Sequence, residues 1–343
     1  MVSFGQGIRR SNVCQRRAVT LVELVVIVAI VGLLGAVSLE AIQAARESAR
    51  QLHCSNNLRQ IGLATLQFEG VRGHYPTGGW GWKWVPDPLL RSRYGQPGGW
   101  IYQLLPYLDA QSIHDLPYVR GDRDEVEAKI HEMLATPCVT FHCPSRGNRK
   151  IIPFDVDRIP KLTNLKTPPA DVTLTDYVAN SGTKFIAFEG PQGVSSSEIE
   201  STPWPAITHS DGMLLYHQRI RAADVTAGIS NVLWVGEKYL GHDNYDSDQD
   251  GGNDQSMYSG ESSDIRRISL YGILPESYVF PDMEHISDKG IEKSRSKESK
   301  YAFGAAHAFS MNAINADGST GSLSASINRL VFQRMSRRFA SLD

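Results

Sequence analysis

The apolar residues of this chain concentrate near its N-terminus, in a run of sixteen uncharged residues from Leu24 to Leu39. With Val19–Val22 in front, the run gives about 20 mostly apolar residues, which as a helix would cover roughly the 30 Å hydrocarbon core of a bilayer. A secretory signal peptide has a shorter apolar region that ends in a small-residue cleavage site, whereas this run continues into a helical pattern. The pattern therefore predicts a helix that spans a membrane and stays in the protein.

The residues that follow, from Glu40 to about Phe68, have apolar side chains at helical spacing. The apolar positions recur at steps of three and four residues: Ile42, Ala45, Ala49, Leu52, Ile61, Ala64 and Phe68. This period is typical of a helix that packs one face on a core. The sequence predicts one helix of about 50 residues, with a transmembrane half at residues 19–39 and an amphipathic half at residues 40–68. A cluster of glycines from Gly70 ends it.

Residues 69–343 have shorter, mixed patterns, which predict a globular head. A second helix is predicted at Asp122–Ala135, because Asp122 and Glu125 have the spacing of a capping box. A terminal helix is predicted at Ser326–Phe339, and the charge-rich residues 284–300 are predicted to form an exposed loop. Short strands are predicted near residues 176–179, 184–188, 213–216 and 232–235. The expected fold class is α+β, with the long helix packed on a mainly antiparallel β head.

Composition and charge limit the possible functions. With 41% apolar and 21% charged residues, the 343-residue chain can bury a sizeable core. Its net charge of −2, without a basic stripe, argues against binding to nucleic acid. Residues 1–18 contain no acid and four arginines, Arg9, Arg10, Arg16 and Arg17. This asymmetry predicts a single-pass protein of the inner (cytoplasmic) membrane, with a cytoplasmic N-terminus and a periplasmic or otherwise extracytoplasmic head.

The one charge inside the apolar segment is Glu23, five residues after Ala18. A carboxylate within a membrane costs several kcal/mol unless it finds a partner. Cleavage of the chain after Ala18 would create a suitable amine on Val19 of a neighbouring copy. The alternative is an ordinary signal anchor, in which Glu23 has no special role.

The string Ala18-Val19-Thr20-Leu21-Val22-Glu23 resembles the processing site of type IV prepilins and of type II secretion pseudopilins. The resemblance implies that a prepilin peptidase cuts the basic leader (residues 1–18) between Ala18 and Val19, and that the amine of Val19 is methylated. It also implies that Glu23 supports assembly with copies of itself or with other pilin-like subunits. Ala18 and Val19 depart from the usual pattern, in which glycine and phenylalanine are commonest.

A wider resemblance covers most of residues 19–338. The strings that carry it are Cys54-Ser55-Asn56-Asn57-Leu58, Pro97-Gly98-Gly99-Trp100, Cys143-Pro144-Ser145, Thr175-Asp176-Tyr177, Val235-Gly236-Glu237-Lys238-Tyr239, His307 and Asp317-Gly318-Ser319. They are similar to a bacterial family of pilin-like proteins known only as domain of unknown function 1559, which an older name linked to solute binding. The resemblance implies a type IV pilin-like helix, a β-rich head and an envelope location, and it implies no reaction.

Three cysteines would stay in the processed chain, because Cys14 lies in the leader. One disulfide among Cys54, Cys138 and Cys143 is plausible in an oxidising compartment, and the sequence leaves its connectivity open. A zinc site is the weaker alternative, because Cys138 and Cys143, with His142 between them, have no second ligand pair at metal spacing.

An acidic segment resembles a calcium-binding loop in its spacing. Asp246, Asp248 and Asp250 alternate and precede Gly251, and Asp254 follows. Such carboxylates converge on calcium in a tight loop, but Met257 occupies the position of the usual bidentate glutamate. The segment is either a calcium site, which would make calcium a cofactor, or a solvated acidic loop.

Trp80, Trp82 and Trp84 alternate with period two, which predicts that their rings share one face of an extended segment. Such a row would bind a carbohydrate or protein ligand, or it would cover the core.

Catalysis is not expected. His307, Asp317 and Ser319 are the residue types of a hydrolase triad, yet the chain has no nucleophile elbow, and Asp317-Gly318-Ser319 is typical of a turn. His307 is interpreted as a hydrogen-bonded structural histidine. Glu237 and Lys238 are interpreted as an ion pair at the end of a strand.

Two functional hypotheses follow. The first is a non-enzymatic pilin-like or pseudopilin-like envelope protein, which is processed and then anchored in the membrane or assembled into a filament through its N-terminal helix. The alternative is a membrane-tethered extracytoplasmic module that binds a carbohydrate or protein ligand. Cleavage after Ala18 and a requirement for Glu23 would distinguish the first from the second.

Overall fold

The computed structural model describes most of the chain after the leader. The residues described are 20–90, 92, 95–147, 150–159, 161–184, 198–199, 201, 204, 210–241, 245, 252–275, 277, 282–287, 290–295, 299–307 and 310–340. The chain divides into two compact units, residues 1–48 and residues 49–343.

Helix α1 is a single helix of 52 residues, Leu21–Arg72. It ends four residues beyond the predicted Phe68, because the helix tolerates Gly70 and breaks at Gly73, whose φ of 72° suits a C-terminal glycine. An 18-residue window of α1 has a mean hydropathy of 2.7 and no buried residue, so by length and composition the helix can cross a membrane. Within residues 49–343 its buried face begins at Cys54 and reaches Phe68.

The other described elements are short. The remaining helices are α2 (Trp100–Leu104), α3 (Gln111–His114), α4 (Arg123–Ala135) and α5 (Arg329–Met335). The strands are β1 (Ile151–Pro153), β2 (Asp171–Thr173), β3 (Tyr177–Asn180), β4 (Leu233–Glu237), β5 (Arg266–Arg267), β6 (Ile273–Pro275), β7 (Asp282–Ser287), β8 (Gly290–Arg295), β9 (Phe303–Ala305), β10 (Ser310–Asn315) and β11 (Thr320–Ser324).

The largest sheet has the strand order β11-β10-β4-β3-β5, antiparallel except for the parallel β3–β5 pair. In β4, Val235 pairs with Ile314 and Leu233 with Asn315, which leaves Trp234 as the extra residue of a bulge. The bulge places both Trp234 and Val235 in the main core, together with the buried face of α1. A second core between the sheet and α5 contains Phe332.

The α+β class with a long N-terminal helix and a mainly antiparallel sheet is confirmed. Helix α4 begins after an Asp122 cap as predicted, and β3 and β4 lie close to the predicted strands. The strand predicted at residues 213–216 is wrong: Met213 and Leu214 both donate backbone hydrogen bonds to the one carbonyl of Asn180, so they do not form a strand ladder. Of residues 184–188, all but Lys184 lie outside the described residues.

The loop predicted at residues 284–300 is also wrong for residues 284–287 and 290–295, which are strands. Strands β7 and β8 form an antiparallel hairpin, with Ile286 opposite Ile291. The sequence did not predict these strands because their charged residues do not alternate regularly with apolar ones. The two strands are joined by the hydrogen bonds of an antiparallel backbone ladder.

Candidate functional site

Four side chains with metal-ligating atoms meet inside the head. The sulfurs of Cys54 and Cys143, a carboxylate oxygen of Glu237 and a ring nitrogen of His307 lie within 4.8 Å of one another. All four residues are buried, with at most 3% of their surface exposed. They come from α1, from the segment after α4, from the end of β4 and from the segment between β9 and β10. We call this group the Cys₂-Glu-His cluster.

Hydrogen bonds position the two cysteines. Cys54 lies on the buried face of α1, and Asn57, one turn further along the same helix, donates to the backbone oxygen of His142 at 3.0 Å. The backbone N–H of Cys143 donates to the carboxylate of Asp176 at 2.7 Å. These contacts bring the sulfurs of Cys54 and Cys143 to 2.9 Å.

The sheet positions Glu237 and its neighbours. Glu237 ends β4 opposite Tyr177 of β3, so the two side chains share one face of the sheet. Asn312 of β10 donates to both carboxylate oxygens of Glu237, from its backbone N–H and from its side-chain amide, each at 3.2 Å. The Nε2 atom of His307 lies 3.4 Å from Glu237 Oε1 and 3.8 Å from Cys143 Sγ.

The surroundings of Cys143 favour the protonated form of its thiol. The hydrogen bond with Cys54 raises the pKa of the Cys143 thiol, burial raises it further, and His307 acts in the opposite direction. Burial also raises the pKa of Tyr177, and nearby Cys54, Glu237 and Cys143 add to the effect. With two thiols, an imidazole and a carboxylate, the cluster can bind a transition metal, and its two cysteines can form a disulfide.

The structure brings together two of the three predicted disulfide candidates. Cys54 and Cys143 are in contact, whereas Cys138 is buried outside the cluster, where burial raises the pKa of its thiol and a hydrogen bond with the Thr140 backbone lowers it less. In the structure all three are free thiols. The predicted disulfide stays a prediction, and its connectivity is now restricted to Cys54 and Cys143 by proximity.

Most of the predicted calcium loop lies outside the described residues, namely Asp246, Asp248 and Asp250. Asp254 is described and buried, and its Oδ2 lies 3.2 Å from Nη1 of Arg158. The calcium prediction stays a prediction. The cleavage residues Ala18 and Val19 are likewise outside the described part of the chain, and Glu23 lies in the first turn of α1.

The predicted row of tryptophans on one face is wrong. The backbone turns between Gly81 and Trp84, whose N–H donates to the Gly81 carbonyl, so the rings do not follow period two. Trp80 and Trp84 are 1% exposed and meet edge to face at 5.1 Å, while the half-buried Trp82 packs on the main core. The ligand-binding prediction for the three residues stays a prediction, and Trp82 is the most accessible of them.

The residues weighed as a triad have other contacts. Ser319 donates to the carboxylate of Asp317 from its backbone N–H and from its hydroxyl, which closes a turn. His307 lies in the Cys₂-Glu-His cluster instead. Glu237 and Lys238 are not an ion pair with each other: Glu237 contacts His307, and the Lys238 ammonium donates to Asn253.

Sequence reasoning found the two cysteines of the cluster but did not associate Glu237 and His307 with them. His307 is 164 residues from Cys143 in the chain, so no local spacing joins the four. A signal was nevertheless present, because each of the four residues lies in a different one of the strings that carry the wider resemblance.

Comparison with protein families matches residues 43–330 to the family described as "Protein of unknown function (DUF1559)". The match covers most of the chain, includes the whole Cys₂-Glu-His cluster and confirms the wider resemblance. No curated protein and no solved structure matches.

Proposed function

The chain belongs to the family described as protein of unknown function DUF1559, and we propose that it is a non-enzymatic, pilin-like protein of the cell envelope. In this proposal α1 anchors it in the cytoplasmic membrane and its head lies outside the cytoplasm. A prepilin peptidase cuts the leader between Ala18 and Val19. The processed helix then stays in the membrane or bundles with helices of the same or other pilin-like subunits.

The observation that carries the proposal is the first half of α1. Its large apolar side chains between Leu21 and Ile42 are 50–78% exposed. Exposing so many apolar side chains to water is unfavourable, so a membrane or neighbouring helices must cover them. Glu23, in the first turn of α1, adds a carboxylate that is costly in a membrane unless it has a partner.

Contacts within the chain add a second possible role for Glu23. Its carboxylate accepts hydrogen bonds from the backbone N–H and the hydroxyl of Thr20, both at 2.9 Å, and Thr20 accepts from the Glu23 N–H at 3.2 Å. This reciprocal pair is a capping box at the N-terminus of α1. Glu23 therefore either caps its own helix only, or also meets the amine of a neighbouring Val19.

Processing is tested by the mass of the native protein. We expect the chain isolated from membranes that contain a prepilin peptidase to begin at Val19 with a methylated amine, and the chain from peptidase-deficient membranes to keep the leader. An Ala18→Leu variant should stay uncut, whereas Ala18→Gly, which restores the commonest residue, should be cut at least as well. A mature chain that keeps its leader arginines in the presence of the peptidase would contradict the proposal.

The role of Glu23 in assembly is tested with two matched variants. Glu23→Gln removes the charge that would attract an amine, whereas Thr20→Val removes the hydroxyl of the capping box and leaves the charge. If Glu23 pairs with a neighbour, cross-linking between subunits in membranes falls strongly in Glu23→Gln and stays near the wild-type level in Thr20→Val. Equal effects of the two changes would mean that Glu23 only caps the helix.

One observation favours the alternative, a tethered binding module. Residues 49–343 contain a cavity of about 320 Å³ whose lining includes the stacked rings of Tyr102, His114 and Tyr118. The ring centroids are 4.7 Å and 5.5 Å apart. Arg72 and Arg219 also line the cavity, so aromatic faces and cationic donors are combined as in sites for polar ligands such as sugars.

A glycan array probed with the full chain in detergent tests this alternative. Binding by the cavity should be lost in Tyr118→Ala and kept in Leu330→Ala, which truncates an exposed apolar side chain on α5. If no glycan binds in a way that requires Tyr118, carbohydrate binding by this cavity is contradicted.

A further inference from the structure

We propose that the Cys₂-Glu-His cluster binds one divalent transition-metal ion, zinc by ligand preference, through Cys54, Cys143, Glu237 and His307. Two sulfurs, one imidazole nitrogen and one carboxylate oxygen make up a four-coordinate set of the kind zinc accepts. The four ligands come from four separate segments, so the bound ion would tie α1 to the central strand of the sheet. The inference is independent of how the N-terminus is processed.

The two distances from His307 to other ligand atoms are close to those that one ion requires. Zinc–ligand bonds of about 2.0–2.3 Å in a tetrahedron place a nitrogen and an oxygen about 3.4 Å apart, and a sulfur and a nitrogen about 3.6 Å apart. In the structure His307 Nε2 is 3.4 Å from Glu237 Oε1 and 3.8 Å from Cys143 Sγ. The two sulfurs, at 2.9 Å, must separate by a little under 1 Å to reach the tetrahedral edge of about 3.8 Å.

Residues around the cluster hold its ligands in place through hydrogen bonds, as the neighbours of ligands do in metal sites. Asn312 donates to both oxygens of Glu237, and Asn57 joins the helix of Cys54 to the backbone next to Cys143. Asp176 in turn accepts from the Cys143 N–H and lies 3.2 Å from Arg146. Such partners orient ligands before the ion arrives, which raises metal affinity.

Charge gives a reason for a cation at this position. Glu237 and His307 are both 1% exposed in their side chains, and a buried carboxylate is costly unless it is paired. A divalent ion would offset two of the three negative charges that the carboxylate and the two thiolates carry together. Binding releases the thiol protons to solvent, with no oxidation, so the step needs no further reactant.

An ion also has an approach path. A cavity of about 410 Å³ is lined by Cys143 together with His53, Asn57, Thr140 and His142. Cys143 therefore lies at the boundary between this cavity and the buried cluster. His53 and His142 offer imidazole nitrogens, which suit transition metals, to an entering ion.

The competing occupant of the same position is a disulfide between Cys54 and Cys143. A disulfide would use only the two sulfurs and would leave Glu237 and His307 as a buried pair. The metal uses all four groups, which is the reason to prefer it. The two states differ in measurable ways, since a disulfide removes two thiols and a metal site keeps them.

The test uses the full chain purified in detergent without chelators and without added oxidant. Elemental analysis by mass spectrometry should find about one zinc per chain in the wild type. The content should fall to background in Cys54→Ser, His307→Gln and Glu237→Gln. Cys138→Ser is the matched control, because it makes the same change at a buried cysteine outside the cluster, and it should keep its zinc.

Two further measurements protect the test against variants that fail to fold. Asn312→Ala keeps every ligand and should weaken zinc binding about 10–100-fold in competition with a chelating dye. Cobalt-loaded wild type should show thiolate-to-cobalt charge transfer and the spectrum of tetrahedral coordination, and neither should appear in Cys54→Ser.

Two results would overturn the proposal. One is a folded wild type in which peptide mapping finds Cys54 joined to Cys143 and which, after reduction, takes up neither zinc nor cobalt. The other is zinc in His307→Gln and Cys54→Ser at the wild-type level, which would mean that the ion binds elsewhere.

Discussion

At the level of single residues, two glycines with the same backbone conformation have different surroundings. Gly73 and Gly79 have φ values of 72° and 74°. A Cβ on Gly73 would meet no atom within 4 Å, whereas a Cβ on Gly79 would lie 2.2 Å from the Pro97 oxygen. Both positions disfavour a side chain through φ, and only Gly79 adds a steric clash.

We expect Gly73→Ala to lower the free energy of unfolding by about 1 kcal/mol, the usual cost of a left-handed alanine. Gly79→Ala should cost at least about 3 kcal/mol, since the Pro97 and Gly98 carbonyls must move. Chemical denaturation of the two variants in the same detergent measures the difference. Equal losses of unfolding free energy in the two variants would mean that the backbone near Gly79 moves to accept the Cβ without a further loss of stability.

His217 should make stability depend on pH. Burial lowers its pKa from 6.5 to about 4, and nearby Arg219 acts in the same direction. Between these two values the unfolded chain binds a proton that the folded chain does not, so the free energy of unfolding falls as the pH is lowered from about 6.5 to about 4. The ring also meets Trp204 edge to face at 4.4 Å, so phenylalanine is the matched replacement.

His217→Phe should therefore flatten this part of the pH profile. Between pH 6.5 and pH 4 we expect the free energy of unfolding to fall by about 1 kcal/mol less in the variant than in the wild type. This figure is reduced because the ring is partly exposed. Thermal unfolding followed by near-ultraviolet circular dichroism at several pH values measures the change. A profile identical to the wild type would show that His217 titrates alike in the folded and unfolded chains.

At the level of elements, helix α4 has the N-terminal cap that its sequence predicts. The Asp122 carboxylate accepts from the N–H groups of Asp124 and Glu125 at 2.9 Å and 3.0 Å. Asp122→Ala should cost about 1 kcal/mol of stability, whereas Asp122→Asn, which keeps an accepting oxygen, should cost a few tenths. Denaturation midpoints of the two variants give the comparison, and an unchanged midpoint in Asp122→Ala would show that water caps the helix equally well.

Elements that are determined by a pattern within their own segment were predictable from the sequence. Elements that are determined by contacts with distant segments were not. The periods of α1 and α4 and the apolar run of β4 are local, and all three elements are present. The bulge at Trp234 is not local, because it depends on the register with β10 and on a hydrogen bond from the indole to Thr65 of α1. Residues 213–216 are apolar and buried like a strand, yet their backbone hydrogen bonds go to separate segments. Met213 and Leu214 both donate to Asn180, and Leu215 accepts from Gly78.

The same distinction applies to the candidate site. Cys54 and Cys143 were predicted as disulfide candidates because they are cysteines. Their contact could not be predicted, because it depends on how α1 packs and because Cys54 lies 89 residues before Cys143 in the chain. Glu237 and Lys238 are neighbours in sequence, which favoured an ion pair, but the two side chains make separate contacts with His307 and Asn253. Spacing alone cannot reveal a site whose ligands come from four elements.

At the level of the whole molecule, the boundary between the two units falls after Ser48, while α1 continues through it. The residues of α1 before and after this boundary differ in burial. Its residues up to this boundary are almost all exposed, and its buried residues begin at Cys54. The head should need the helix from about the boundary onward and should not need the apolar segment before it.

Two truncated chains test this division. A chain of residues 49–343 keeps the whole buried face of α1, so we expect it to be soluble without detergent and to melt cooperatively. A chain of residues 66–343 loses Leu58 and Ile61, both fully buried, together with Cys54, Ala64 and Thr65. Each large apolar side chain contributes about 1.5–3 kcal/mol, so the loss approaches the 5–15 kcal/mol that typically separates folded from unfolded domains.

The shorter chain should therefore be insoluble or lack a cooperative transition by circular dichroism and size-exclusion chromatography. The full chain should need detergent to leave the membrane, because its exposed apolar segment has no cover in water. Aggregation of residues 49–343 under conditions that keep the full chain monodisperse would mean that the apolar segment takes part in folding the head. Solubility of both truncated chains would mean instead that the sheet and the remaining helices hold the core without α1.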